Sequence, residues 1–90
     1  MTGISGVKIK IMPNSPDADL AEIEKKAKEI IEKNGGINKE YSQEPIAFGL
    51  KAVIAFFQWP EEKETEDLEE SLKNIPEVQS VQIIDMRKIA

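Results

Sequence analysis

The segment that decides the fold is the apolar run Leu50-Lys51-Ala52-Val53-Ile54-Ala55-Phe56-Phe57. Its side chains are apolar on both faces, which is typical of a strand in the middle of a sheet, and the run is too short to indicate a helix. Alternation does not decide which face is buried, because two sets qualify, namely Val53/Ala55/Phe57 and Ile54/Phe56. We therefore predict a central strand that ends at Trp59-Pro60.

The loop before this strand, Glu44-Pro45-Ile46-Ala47-Phe48-Gly49, is less polar than loops usually are. Pro45 fixes its own φ angle and removes a backbone donor, and Gly49 permits a sharp backbone turn. Phe48 lies between them and has two interpretations. It is a core side chain, which is the more common place for an aromatic residue, or it is an exposed anchor for a partner's pocket.

A strand and a helix precede this loop. Residues 7–12 alternate apolar and charged side chains with period two, which predicts a strand with one buried face. Asp19 and Glu22 form a predicted capping pair at the start of a helix, which ends at Asn34-Gly35-Gly36. The polar residues 37–43 predict an edge strand. The helix carries an apolar stripe at helical spacing, formed by Leu20, Ile23, Ala27, Ile30 and Ile31.

An acidic segment follows the central strand. Residues 61–70 contain seven acidic side chains and one lysine, and Thr65 is the predicted N-cap of a second helix. Acidic residues in the first turn complement the helix dipole. Because the segment lacks the alternating ligands and the glycine of a calcium loop, we expect no metal site. Leu68 and Leu72 face the core, and residues 78–83 form the last strand.

The composition excludes several classes of function. The 90-residue chain has no cysteine and no histidine, which removes thiolate and imidazole metal sites and the commonest general base. A net charge of −5 disfavours binding to phosphate backbones, and no apolar run is long enough to span a membrane. We expect a cytoplasmic protein that uses no cofactor and binds neither nucleic acid nor membrane directly.

The order of elements, βαββαβ, predicts a ferredoxin-like α+β sandwich. Both crossovers would be right-handed, which places the two helices on one face of a four-stranded antiparallel sheet. Residues 1–5 are predicted to be a flexible lead-in and residues 6–90 a single domain, with the chain end free to project from a strand. This fold hosts many functions and therefore identifies none.

Three separated segments of the chain are distinctive in combination. They are Lys10-Ile11-Met12-Pro13-Asn14-Ser15-Pro16-Asp17-Ala18-Asp19-Leu20, Glu44-Pro45-Ile46-Ala47-Phe48-Gly49-Leu50-Lys51-Ala52, and Val78-Gln79-Ser80-Val81-Gln82-Ile83 followed by Met86-Arg87-Lys88-Ile89. In this order they resemble the archaeal elongation factor 1-beta family, the nucleotide exchange factors for the GTPase elongation factor 1-alpha. The resemblance covers nearly the whole chain and implies the ferredoxin-like fold.

The resemblance also implies a partner and roles for individual residues. The partner would be the elongation factor 1-alpha GTPase, in its GDP-bound and nucleotide-free forms. The protein would promote GDP release and GTP loading without covalent chemistry of its own, so it would not be an enzyme. Phe48 matches the aromatic that the family inserts into a pocket of the GTPase's nucleotide domain. Lys88 matches the near-terminal lysine at the magnesium and phosphate site, a role that Arg87 could share or take.

The predicted partner-binding set includes neighbours of these residues. Pro45 and Gly49 would hold Phe48 in place and so reduce the entropy lost on binding. Since the aromatic and the cation would act as one device, we expect the fold to bring Phe48 and Lys88 to the same end of the sheet. The full set is Phe48, Lys88, Pro45, Ile46, Gly49, Met86 and Arg87.

A second hypothesis belongs to a different class of protein. It is a ferredoxin-like regulatory module that binds a small ligand at a dimer interface, through an apolar outer sheet face that includes Ile54 and Phe56. This hypothesis predicts ligand-dependent dimerisation and no effect on a GTPase. An RNA-binding sheet would need a basic face with exposed aromatics, which the acidic charge balance disfavours.

Overall fold

The computed structural model of the protein describes residues 3–89. Within that range the chain forms four strands and two helices, with a 3₁₀ turn at Ala47–Gly49 before the third strand. The regular elements are β1 (Ile4–Pro13), α1 (Leu20–Lys33), β2 (Ile37–Pro45), β3 (Lys51–Pro60), α2 (Glu66–Lys73) and β4 (Val78–Lys88). Their order is the predicted βαββαβ.

The four strands form one antiparallel sheet in the order β2-β3-β1-β4. β3 is central and β2 lies at an edge, as the sequence predicts. α1 packs against β2 and β3, α2 packs against β4, and the two helices contact each other. Both helices cover the same face of the sheet, so the protein has the predicted ferredoxin-like α+β fold.

The helices cover the face of β3 that carries Val53, Ala55 and Phe57, which are at most 1% exposed. The opposite face of β3 carries Ile54 and Phe56, which are only partly buried. Burying a Val or Phe side chain contributes about 1.5–3 kcal/mol to the stability of the fold. The burial of this set therefore decides which face of β3 points into the core, a question that alternation left open. The core also contains Val7, Ile9, Ile11, Ile23, Ala27, Ile31, Trp59, Leu68, Leu72 and Ile75.

Two segments that are far apart in sequence hold the start of α1. Asp19 is the N-cap, and its side chain accepts a 3.1 Å hydrogen bond from the Glu22 N–H, as predicted. In the predicted pair the Glu22 side chain would accept from the Asp19 N–H in return. That N–H donates instead to the Glu77 carboxylate at 2.8 Å. The Glu77 carbonyl also accepts from the Asn14 N–H at 2.8 Å. Glu77 therefore ties two neighbouring loops together at this end of the sheet.

Both ends of the described chain take part in the sheet. β1 begins at Ile4, so residues 4 and 5 of the predicted lead-in belong to a strand, while residues 1 and 2 lie outside the described residues. β4 continues to Lys88, and the Ile89 N–H donates to the Ile4 carbonyl at 2.9 Å. The prediction that the chain end projects freely is therefore wrong up to Ile89. Ala90 lies outside the described residues.

Candidate partner interface

The loop between β2 and β3 presents Phe48 to solvent. Phe48 is 92% exposed, whereas the other exposed large apolar residues of the described chain lie between 45% and 52%. Of the two interpretations of this residue, burial in the core is therefore wrong. A ring left in water gains free energy when it enters an apolar pocket, because its hydrated surface is removed from solvent. The ring is therefore accessible to such a pocket.

The backbone of this loop turns at Phe48 and Gly49. Phe48 has φ 61° and ψ 32°, in the left-handed region that costs a non-glycine residue about 1–2 kcal/mol, and Gly49 follows with φ 74°. The Ile46 N–H donates to the Leu50 carbonyl at 2.8 Å, and the Leu50 N–H donates to the Ala47 carbonyl at 3.2 Å. Backbone hydrogen bonds thus close the loop, and they hold the ring outward. Strained residues of this kind cluster at sites that contact ligands.

The last described residues carry two cations on opposite faces of the sheet. Lys88 and Arg87 are consecutive in β4, and successive side chains of a strand point to opposite faces. Lys88 pairs with Ser5 and lies on the helix side, where its Nζ is 3.6 Å from the Glu61 carboxylate. Arg87 lies on the open side, with its Nε 3.2 Å from the Asp85 carboxylate. The two cations therefore face different surroundings.

Phe48 and Lys88 lie at opposite ends of the sheet. The Phe48 loop precedes β3, whose Val53 pairs with Ile11, whereas Lys88 pairs with Ser5 near the start of β1. Residues 5–11 of an antiparallel strand span roughly 20 Å, at about 3.4 Å per residue, and Phe48 lies beyond that span. The expectation that the fold brings the two residues together is therefore wrong. The reason is that β1 runs antiparallel to both β3 and β4, so the start of β3 and the end of β4 meet different ends of β1.

The remaining residues of the predicted set divide between these two groups. Pro45 pairs with Lys51 at the base of the Phe48 loop, and Ile46 begins the loop itself. Met86 pairs with Val7 of β1 and is 49% exposed on the helix side, two residues before Lys88 in the same strand. The structure therefore assembles a Phe48 group at one end of the sheet and a Lys88 group at the other.

Two residues near Lys88 are missing from the prediction. Glu61 is one of the seven acids in residues 61–70, and nothing in its sequence context indicates that it faces Lys88. Gly6 is buried in β1 directly opposite Arg87. A glycine inside a strand often marks the close approach of another group, and this is the signal that could have identified Gly6.

The described residues contain one strongly shifted titratable group, and it belongs to neither end of the sheet. Burial raises the pKa of the Tyr41 phenol, and the nearby Glu24 and Glu32 carboxylates raise it further. The hydroxyl donates to the Asn38 side chain at 2.6 Å. Within residues 3–89, no three Asp or Glu side chains are grouped so that they could hold a metal ion, and neither helix is long and apolar enough to cross a membrane.

Comparison with known proteins identifies the family. Residues 6–89 match the model of the EF-1 guanine nucleotide exchange domain. The chain belongs to the EF-1 guanine nucleotide exchange domain family. Relatives named Elongation factor 1-beta align with it over nearly their full length. The one from Methanosarcina barkeri is 40% identical over 88 residues, which are 97% of this chain and 99% of the relative.

Two further relatives of the same name come from other archaea. The Methanococcus aeolicus protein is 42% identical over 86 residues, covering 93% of this chain and 96% of its own length. The Methanocaldococcus jannaschii protein is 39% identical over 80 residues, covering 88% and 90%. Membership of the exchange-domain family confirms the resemblance carried by the three segments. It does not favour the alternative of a ligand-binding regulatory module at a dimer interface.

Proposed function

We propose that this protein promotes GDP release and GTP loading on the translation elongation GTPase elongation factor 1-alpha. The match to the exchange domain and the relatives named Elongation factor 1-beta support this function. The structural observation that carries it is Phe48, 92% exposed on a loop with a strained backbone. Residues 6–90 act as one exchange domain in the cytoplasm, without direct contact to nucleic acid or membrane.

The Phe48 group provides the main contact for binding. The ring enters an apolar pocket of the GTPase, and Pro45, Ile46 and Gly49 keep the loop in the conformation that presents it. Because this conformation already exists in the free protein, little loop entropy is lost on association. Buried aromatic anchors of this kind account for a large share of the binding free energy in many interfaces.

The Lys88 group provides a cation that weakens the hold on the nucleotide. Bound GDP is retained largely by Mg²⁺ and by contacts to its phosphates, so a second cation at that site competes with the metal. Each cation has a carboxylate neighbour, but the contact of Lys88 with Glu61 is the longer one, at 3.6 Å against 3.2 Å for Arg87 with Asp85. Lys88 is therefore the more easily released for this role. Met86 shares the helix side with Lys88 and contacts the partner beside it.

The two groups act at separate places on the partner. They are more than roughly 20 Å apart along the sheet, so Phe48 and Lys88 cannot enter a single pocket. Effects of substitutions at such distances usually add within about 0.3–0.5 kcal/mol. We therefore expect the double variant Phe48→Ala/Lys88→Ala to lose the sum of the two single losses of transition-state free energy for GDP release.

Thermodynamic linkage constrains what the factor can do. If it lowers the affinity of the GTPase for nucleotide, nucleotide lowers the affinity of the GTPase for the factor by the same ratio. The factor therefore binds the nucleotide-free GTPase more tightly than the GDP-bound form. It accelerates exchange without selecting GDP or GTP, and the nucleotide present in excess sets the direction.

Release of a fluorescent GDP analogue from purified elongation factor 1-alpha tests the function. The rate is measured against factor concentration, which separates the concentration for half-maximal effect from the maximal rate. Addition of the factor should increase the release rate, with GDP or GTP as the competing nucleotide. An unchanged rate at saturating factor would refute the proposed function.

A further inference from the structure

A notch on the open face of the sheet receives the side chain of Ile89. Gly6 lies on the central strand β1 and is buried, although no helix covers this face. The residues around it enclose a cavity of about 240 Å³. The lining consists of Gly6, Lys8, Phe56, Asp85, Arg87 and Ile89. We call the contact of Gly6, Phe56 and Ile89 the tail anchor.

Gly6 provides the space that the Phe56 ring of the tail anchor occupies. A Cβ atom at this position would lie 3.3 Å from Cε1 of Phe56 and 3.6 Å from Cδ1 of Ile89. The residue lies inside a regular strand, so no left-handed backbone explains the glycine. Glycine weakens a strand, since it has no side chain to pack and a high entropy when unfolded. The absent side chain lets the Phe56 ring approach the β1 backbone, and Ile89 lies beside it at ordinary contact distance.

Ile89 is fixed by its backbone as well as by its side chain. Its N–H donates to the Ile4 carbonyl at 2.9 Å, and this bond extends the β1–β4 ladder one residue beyond the pair of Lys88 and Ser5. Ile89 is 51% exposed, so about half of it is covered. The end of a strand frays when nothing holds it, and these two contacts hold position 89.

We propose that the tail anchor positions Lys88. Side chains of consecutive strand residues point to opposite faces, so an Ile89 side chain seated at Gly6 on the open face directs Lys88 to the helix side, toward Glu61. A frayed end would let the Lys88 backbone rotate and would spread its ammonium over many orientations. The proposal rests on the role proposed above for Lys88. Ile89 is a positioning residue and does not itself reach the nucleotide site.

The test compares Ile89→Ala, Ile89→Val and Gly6→Ala with the unmodified protein. Ile89→Ala removes most of the side chain in the notch, and we expect it to lower the maximal rate of GDP release about three- to tenfold. Ile89→Val retains most of the contact and should retain most of the rate. Gly6→Ala crowds the Phe56 ring at 3.3 Å but meets Ile89 at an ordinary contact distance of 3.6 Å, so it should lower the rate less than Ile89→Ala does. Ile37→Ala is the matched control, because Ile37 is 52% exposed on the opposite edge strand.

Two readouts separate positioning from a general structural role. Hydrogen exchange of the backbone N–H at position 89 should become faster in Ile89→Ala, and less so in Gly6→Ala, while the midpoint of thermal unfolding of Ile89→Ala stays nearly unchanged. In a Lys88→Ala background, Ile89→Ala should cause no further loss of exchange rate, because there is no ammonium left to position. Such non-additivity between coupled residues is the expected signature.

The outcomes distinguish this proposal from the function on which it rests. If Lys88→Ala slows GDP release and Ile89→Ala does not, the tail anchor has no positioning role, whereas the proposed function stands. If Ile89→Ala and Lys88→Ala losses simply add, Ile89 contacts the partner directly and the proposal is overturned. If Lys88→Ala leaves the rate unchanged, the role of Lys88 is refuted, and so is the proposal that the tail anchor positions Lys88 for that role.

Discussion

Truncation of Phe48 should strongly weaken the binding of the factor to the GTPase without harming the fold. Phe48 is 92% exposed, so Phe48→Ala removes few contacts within the protein. Surface substitutions of this kind usually change the free energy of unfolding by less than about 0.5 kcal/mol. Binding to the GTPase should weaken strongly, because the same side chain provides the proposed anchor.

The size of the loss follows from the surface that the ring can bury. A phenylalanine side chain buries about 150 Å² at the lower end of the aromatic range, and almost all of that area is available in the free protein. At about 25 cal/mol per Å² the upper limit is about 4 kcal/mol, and measured hot spots cost about 2–4 kcal/mol. The concentration of factor that gives half-maximal GDP release should therefore rise about 30- to 1,000-fold.

Three variants and two measurements test this reasoning. Phe48→Ala and Phe48→Trp are compared with Ile37→Ala, which truncates an exposed apolar residue in the edge strand β2. GDP release is titrated with each variant, and urea unfolding gives its stability. Phe48→Trp should retain most of the effect, and Ile37→Ala should behave like the unmodified protein. A Phe48→Ala protein with unchanged half-maximal concentration, or one destabilised by more than about 1 kcal/mol, would refute the anchor.

Two further predictions concern stability. Glu77→Ala removes the carboxylate that accepts from the Asp19 N–H, and it should lower the free energy of unfolding by about 1 kcal/mol. Glu77→Gly removes the same carboxylate but also relieves the strain of a non-glycine residue with φ 71°. Urea unfolding should therefore find Glu77→Gly more stable than Glu77→Ala. For Tyr41, the pKa is raised in the folded protein by burial and by Glu24 and Glu32, so the neutral phenol stabilises the fold below the unfolded pKa of about 10, and this contribution is lost as pH rises beyond it. Unfolding of Tyr41→Phe should therefore depend less steeply on pH above that value, and equal slopes would contradict the prediction.

The sequence predicts the architecture because each element carries its own signal. The apolar run that becomes β3, the helical stripe of α1 and the glycines after it are local patterns, and each of them needs only a few neighbouring residues to be recognised. The burial of Val53, Ala55 and Phe57 rather than Ile54 and Phe56 is different. It depends on which face the helices cover, and residues remote in sequence decide that.

The features that sequence reasoning missed depend on pairing between distant segments. β4 is interrupted by a bulge where the partner of Lys8 is Asp85 and the partner of Ile9 is Ile83. The alternation therefore breaks at Ile84, and the mostly charged residues after it, 85–88, do not carry the pattern of a strand. The Glu77 cap and the Glu61 contact of Lys88 are also set by register, which no local pattern contains.

Because Phe48 and Lys88 lie far apart, the proposed exchange mechanism gives them different roles. An exposed ion pair gives little free energy in water, about 0–1 kcal/mol, so a single lysine cannot bind the GTPase by itself. A strong contact at the Phe48 end raises the effective concentration of Lys88 at the nucleotide site of the GTPase. This is so because the sheet between Phe48 and Lys88 is stiffened by the core residues of β1 and β3. Loss of Phe48 should therefore act mainly on the half-maximal concentration, and loss of Lys88 mainly on the maximal rate. If the two losses instead fell on the same parameter, the sheet would not act as a spacer between an anchor and a working cation.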